Sequence, residues 1–268
     1  MKYMTFNSSC SYCCLANLLE LHGVDVEDRD IALQMGLPYL FSYNEEDGAY
    51  QAGAMLQGKY WFDRWLNSIG FEFAEEFVSK TDVCHFAVNG VPCMIGLKTE
   101  VDKHAMIFTG LQDGRCRFLN PHRADDGQPD ELLFTPEELQ EALCEVNAVG
   151  RIDRTEKSKP MDASDFERSL IWLRRYKAEL HRFCEEYRTN GEIMTVINTL
   201  FRPFAVDGLA MMELAGEGDL ADELRLFQKD CMTLFRSGDC RPDAVVDLAR
   251  LDRIVTAYEK LIQKKING

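Results

Sequence analysis

Three side chains in this sequence have the types and settings that together activate a thiol: Cys10, His104 and Asn120. Ser8-Ser9-Cys10-Ser11-Tyr12 opens a stretch that reads as a polar turn, a thiol and then one amphipathic helix. Cys14, Leu15, Leu18, Leu19 and His22 fall on one stripe at helical spacing, and Gly23 follows as the stop. A thiol at a helix start is chemically privileged. The unpaired N–H groups and positive dipole end stabilise a thiolate, and the same N–H groups can receive an oxyanion forming on a substrate carbonyl. His104 would accept the thiol proton, and the Asn120 side-chain carbonyl would orient that imidazole. His22, twelve positions along the helix and about 18 Å away at 1.5 Å per residue, is out of reach. His85 and His122 stay open as alternative bases.

Cys10 also has other readings. Free cysteine packs as a small apolar residue, as Cys13 and Cys14 are expected to do within the helix. Cys10-x-x-Cys13 has the spacing of a redox pair, but that motif follows a central strand in a βαβ unit, and only Met1 to Ser9 precede it. Zinc would need a second closely spaced ligand pair, and Cys84, Cys93, Cys116, Cys144, Cys184, Cys231 and Cys240 are scattered. No metal and no bound cofactor is expected.

The elements that must position these groups are legible in part. Glu27 to Met35 suits a short helix. The aromatic run Leu37 to Tyr43 has neither clean period and suits a loop or edge strand beside a cleft. Tyr60, Trp61, Trp65 and Ile69 recur at helical spacing, and Gly70 separates them from the alternating Phe71-Glu72-Phe73. Val91 to Leu97 reads as a strand, and Ala105 to Leu111 and Arg115 to Leu119 form a hairpin at Asp113-Gly114. A two-residue loop would set Asn120 opposite Ile107, on the face away from His104. A three-residue loop Gln112-Asp113-Gly114 sets it opposite Met106, within reach of His104, and this longer loop is the expectation. Thr135-Pro136 starts a further helix.

Arg151 to Pro160 is charged and proline-terminated, which places a boundary between a first domain, residues 1–150, and a helical domain, residues 161–268. Ser164-x-x-Glu167 reads as a capping box. Phe166, Leu170, Leu173, Leu180, Cys184 and Tyr187 make a helical stripe, with further helices near Glu192 to Phe201, Phe204 to Leu214, Asp219 to Arg236 and Pro242 to Lys264. This helical half carries no motif with chemistry and could support a homodimer.

Composition narrows the function. At 268 residues and 46% hydrophobic content, the chain can bury a full core. Its formal charge of −15 opposes binding to a phosphate backbone, so nucleic acid is not an expected partner. Every apolar run is broken by charge well short of a membrane span. Unordered cysteines and the lack of an apolar leader point to reduced thiols in a cytoplasm.

The order of a cysteine opening a helix that closes at Gly23, a histidine starting an apolar strand, and Asn-Pro after the next strand resembles papain-like bacterial cysteine peptidases that cut double-glycine leaders. The stretches Cys10 to Gly23 and Ile31 to Phe41, with Gly70, look closer to acyltransferases of the butirosin-biosynthesis H type. The resemblance covers roughly residues 5 to 125. It implies an α+β papain-like domain with Cys10 as nucleophile, His104 as base and Asn120 as orienter, acting on a small-molecule, peptide or carrier-bound acyl substrate. Such enzymes place a glutamine upstream of the cysteine for the oxyanion, where this chain has Met4. Asn7 and Ser11 are then the polar groups closest to that role, and Tyr39 and Tyr43 are expected at the substrate. A non-catalytic module that kept the fold is the competing class.

Overall fold

The computed structural model describes residues 1–46, 48–83, 92–99, 103–156, 159–186, 200–237 and 241–267. Its contacts divide the chain into two compact units: Met1–Ile31 with Gln57–Met161, and Ala32–Leu56 with Asp162–Gly268. The segment Ala32–Leu56, counted with the first 150 residues on sequence grounds, thus clusters with the second unit.

The first unit is α+β. Its centre is a six-stranded sheet, every neighbouring pair antiparallel, in the order β3 (Phe71–Ser79), β8 (Val146–Arg154), β4 (Cys93–Lys98), β5 (Lys103–Gln112), β6 (Arg115–Leu119), β7 (Glu131–Phe134). Alternation builds a core on one face: Cys93, Ile95 and Leu97 of β4 meet Met106 and Phe108 of β5, then Cys116 and Phe118 of β6. Leu139 of helix α4 (Pro136–Ala142) and Leu143 close it. Each such fully buried side chain contributes about 1.5–3 kcal/mol relative to an exposed one. Thr135 caps α4 by accepting from Glu138 N–H, while the Glu138 carboxylate takes the Thr135 N–H in return.

Helix α1 (Cys10–Glu20) packs on β5, β8 and β4. It differs from the expected amphipathic stripe, since Ser11 through Leu19 are all buried and the helix runs through the interior. Helix α3 (Lys59–Leu66) lies on β3 and buries Phe62, Trp65 and Leu66, while Tyr60 points to solvent.

Two expectations are corrected in this unit, and one strand is new. The charged stretch after Gly150 does not begin a linker, because β8 continues through Arg154 and pairs along the whole of β3. Gly150 must be glycine there: a Cβ would sit 1.9 Å from Phe73 Cζ. β7 has no clean alternation in sequence and is recruited by β6, with Cys116 opposite Phe134. The hairpin loop is the shorter one, Asp113-Gly114, both residues at positive φ (51° and 77°), closed by the pair Gln112 and Arg115. A bulge between Phe108 and Gly110 restores the register, so Ile107 faces Leu119.

The second unit combines the hairpin β1 (Phe41–Asn44) and β2 (Ala49–Ala52) with α5 (Ser164–Glu186), α6 (Leu209–Leu214), α7 (Gly218–Ser237) and α8 (Leu248–Asn267). Its core is aromatic: the Phe41 ring lies 5.1 Å from Tyr258 and 5.8 Å from Phe204, and Tyr176 lies 4.9 Å from Phe204. Phe41 N–H donates to Ser169 Oγ at 3.0 Å. Of the segment expected as a loop or edge strand, Phe41–Asn44 is a strand of the two-stranded hairpin, and Tyr39 and Phe41 are buried in this core. Ser164 is the first residue of α5 rather than its cap; the Asp162 carboxylate accepts from Ser164 N–H at 2.9 Å. The helix expected near Glu192 to Phe201 lies outside the described residues up to 199, as do Tyr187, Cys84, His85 and Cys240. No helix among the described residues is long and apolar enough to cross a membrane.

Candidate active site

Cys10 is the first residue of α1, and the segment before it is strapped down on both sides. Lys2 N–H donates to Asn17 Oδ1 at 2.9 Å, and Asn17 Nδ2 returns to the Lys2 carbonyl at 3.3 Å. Met4 N–H donates to the His122 carbonyl at 2.8 Å. Asp28, 1% exposed, accepts from Thr5 N–H, Thr5 Oγ1 and Ser9 Oγ at 2.6–2.7 Å. Ser9 occupies the cap position of α1 but makes no side-chain cap, because its hydroxyl donates to Asp28 and its oxygen accepts from Phe6 N–H instead. The first-turn amides beside the thiol are thus left uncapped by Ser9, as an anion-receiving helix start requires.

His104 and Asn120 come to Cys10 through the hairpin. The ladder ends with Ile107 opposite Leu119, so Asn120, the residue after β6, leaves it level with Met106, two positions along β5 from His104. The two side chains meet, His104 Nε2 to Asn120 Oδ1 at 3.0 Å. Asn120 Nδ2 donates to the Pro129 carbonyl at 2.9 Å, which fixes the amide so that its oxygen faces the imidazole. His104 Nε2 therefore carries the hydrogen, and Nδ1 is left for the thiol.

The electrostatics follow from that contact. Burial pushes the Cys10 thiol up, but the hydrogen bond from His104, the Ala105 backbone N–H and the His104 charge outweigh it and hold the thiol below its ordinary value. Burial likewise disfavours the His104 cation, and Cys10 together with Asn120 and the Pro121 backbone reverses this, raising the imidazole above its ordinary value. The shifts are reciprocal, as a thiolate–imidazolium pair requires. Other cysteines move the opposite way: burial raises Cys93 and Cys184 to about 12, and pushes Cys13, Cys14 and Cys231 up as well. Cys13 donates its S–H to the Lys2 carbonyl, so it is no low-pKa partner for a redox pair.

A cavity of about 210 Å³ opens beside Cys10. Ser11 and Gln57 form one wall, Phe62, Phe73 and Met94 supply apolar surface, and Gly96, Ala105 and Gly150 keep the floor low. Gln57 was not singled out from the sequence. Its Nε2 donates to the Ser8 carbonyl at 2.6 Å and its Oε1 accepts from Ser11 Oγ at 2.8 Å, so a glutamine does stand beside the thiol, supplied from ahead of α3. Sequence distance from Cys10 hid it, and a lone Gln-Gly pair carries no signal of its own.

Of the other expected residues, Ser11 lines this cavity. Asn7 is exposed and does not line the cavity, because the turn at Phe6 and Ser9 points it to solvent. Tyr39 and Tyr43 belong to the second unit, where Lys265 lies over the Tyr39 ring and Tyr43 stacks on Trp172 at 5.6 Å. Met4 contributes its backbone to the strap. His122 is held by two carboxylates and is not the base at Cys10. Among the described residues, no three His, Cys, Asp or Glu side chains gather as a metal-holding group.

No protein-family model matches this chain, and no curated protein matches it. Solved structures similar to it include the peptidase domain of Streptococcus ComA, a bi-functional ABC transporter involved in a quorum-sensing pathway. The identity is 11% and the TM-score 0.40, over 56% of this chain and 96% of that one.

Proposed function

We propose that the first unit is a papain-like cysteine enzyme that transfers acyl groups through a thioester on Cys10. The observation that carries this reading is the contact of His104 with both Asn120 and Cys10, which makes the thiol acidic and the imidazole basic together. His104 Nδ1 takes the Cys10 proton, and the thiolate adds to an amide, ester or thioester carbonyl. The first-turn amides of α1 receive the oxyanion. The imidazolium returns its proton to the departing amine, alcohol or thiol as that bond breaks, leaving the acyl group on Cys10. An acceptor then loses its proton to His104, attacks the thioester and releases the thiolate. Asn120 keeps the ring in the tautomer that both steps use. Phe62, Phe73 and Met94 give the cavity an apolar side on which an acyl group or acceptor can pack, while Glu75 and Lys103 line it with charge, and transfer requires that the bound acceptor outcompete water at the thioester.

The test gives the protein a small acyl thioester and follows intact mass. A mass increase on Cys10, absent in Cys10→Ala and chased by added amines faster than by water, is the expected result. Rapid turnover by water alone makes the protein a hydrolase. No adduct across a broad acyl panel returns it to the non-catalytic class.

A further inference from the structure

A second histidine lies near this cluster without touching the thiol. His122 follows Asn120-Pro121, and its side chain is 7% exposed. Its Nδ1 lies 2.8 Å from Asp126 Oδ1 and 2.8 Å from the Arg123 carbonyl, and its Nε2 lies 2.9 Å from Asp130 Oδ1. Each of these partners can accept, an arrangement that favours the ring with both nitrogens protonated. The same two carboxylates pull its pKa above the ordinary histidine value against the cost of burial. The Tyr3 ring meets the imidazole edge-on at 5.3 Å, and Tyr3 Oη donates to Asp130 Oδ2 at 3.3 Å.

The clamp closes the loop on which Asn120 depends. Asp130, gripped through its side chain by His122, accepts Asn120 N–H on its carbonyl at 2.8 Å, and neighbouring Pro129 accepts Asn120 Nδ2. At the other end of the ring, Asp126 takes Arg123 N–H and Gln128 N–H, which folds the intervening turn. The His122 carbonyl holds Met4, in the segment that leads into Cys10. One residue therefore ties the strand end bearing Asn120, the loop satisfying Asn120, and the approach to the thiol.

We propose that His122 is a positioning residue for the Cys10–His104–Asn120 cluster, locking the loop from Asn120 to Asp130 so that the Asn120 carbonyl stays aimed at His104. This rests on the thiol-activation reading above and adds to it a group that does not line the cavity beside Cys10.

The experiment is a double-mutant cycle on the full chain, read as the rate and pH midpoint of Cys10 alkylation by iodoacetamide with peptide mapping. Wild type, Asn120→Ala, His122→Ala and the double variant are compared, with thermal melting to verify folding. Asn120→Ala should slow Cys10 at neutral pH by about tenfold and move its midpoint upward, as loss of ring orientation does. His122→Ala should move both in the same direction, and the double variant should be no slower than Asn120→Ala alone. If His122→Ala melts out, Asp130→Ala, which removes the acceptor of His122 Nε2 and keeps the backbone carbonyl that takes Asn120 N–H, takes its place in the cycle. An unchanged midpoint in the His122 or Asp130 variant, or effects that add in the double variant, overturns the positioning role while leaving the cluster intact. An unchanged Cys10 in Asn120→Ala overturns the activation reading itself.

Discussion

Cys10 owes its chemistry to position rather than to type. The chain has ten cysteines, and burial drives the neighbouring thiols of Cys13 and Cys14 up, whereas one helical turn earlier the same atom meets an imidazole and a backbone N–H and is drawn down. The sign for pH follows. A depressed thiol pKa means that the thiolate is present above the folded value and is lost as pH falls through it. Cys10 should therefore still alkylate at pH 7, below the about 8.5 at which an ordinary cysteine is half ionised. A raised imidazole pKa means that the partner cation is present below its folded value and is lost as pH rises through it. His104→Ala should remove the acidic advantage and bring the Cys10 midpoint up to or above the ordinary range. Limited iodoacetamide followed by peptide mapping measures this; a Cys10 that reacts no faster than Cys184 in the folded protein contradicts it.

At the scale of elements, the site depends on one extra residue in one strand. A two-residue loop at Asp113-Gly114 alone would have sent Asn120 to the wrong face, and the bulge between Phe108 and Gly110 shifts the ladder back by one. Gly110 makes the bulge possible, since its φ of 124° is closed to other residues at low cost. Gly110→Ala should lower the unfolding free energy by about 1–3 kcal/mol. Gly96→Ala, on the adjacent strand with ordinary φ and open space at the Cβ position, should be neutral or slightly stabilising. Urea melts of the two variants compare them directly, and equal losses would remove the bulge from the argument. This also shows what could be read beforehand. The thiol, the helix stop after it, the hairpin and the Met106–Asn120 register follow from residue types and the need of His104 for an orienter. The bulge was missed although Gly110 inside the strand is the residue type that marks one, because a lone glycine is equally compatible with close backbone approach and does not by itself fix the register. Gln57 escaped for another reason: its role exists only once the turn at Ser8 has folded against it.

At the scale of the molecule, the division between units is not a cut in the chain. Tyr39, Phe41 and Tyr50 are 8%, 2% and 2% exposed, within the same cluster as Leu173, Tyr176, Phe204 and Tyr258 from the far end of the sequence. The charged stretch near residue 155 looked like a place where two domains could be separated, but among the described residues Tyr39, Phe41 and Tyr50 share one core cluster with side chains that lie beyond it. A chain ending at Met161 keeps every strand of the six-stranded sheet and loses all of α5 to α8. It would then carry three large aromatic side chains stripped of cover, each of which contributes on the order of 1.5–3 kcal/mol when buried. Such a patch drives association rather than a stable monomer. The 1–161 fragment should therefore bind a hydrophobic dye and elute as aggregate in size exclusion, whereas replacing Tyr39, Phe41 and Tyr50 by serine in that fragment should restore solubility. The same three substitutions in the full chain should do the reverse and destabilise the second unit, since there they remove core packing. A fragment 1–161 that is monomeric and dye-silent without those substitutions would mean that segment 32–56 folds without the C-terminal helices.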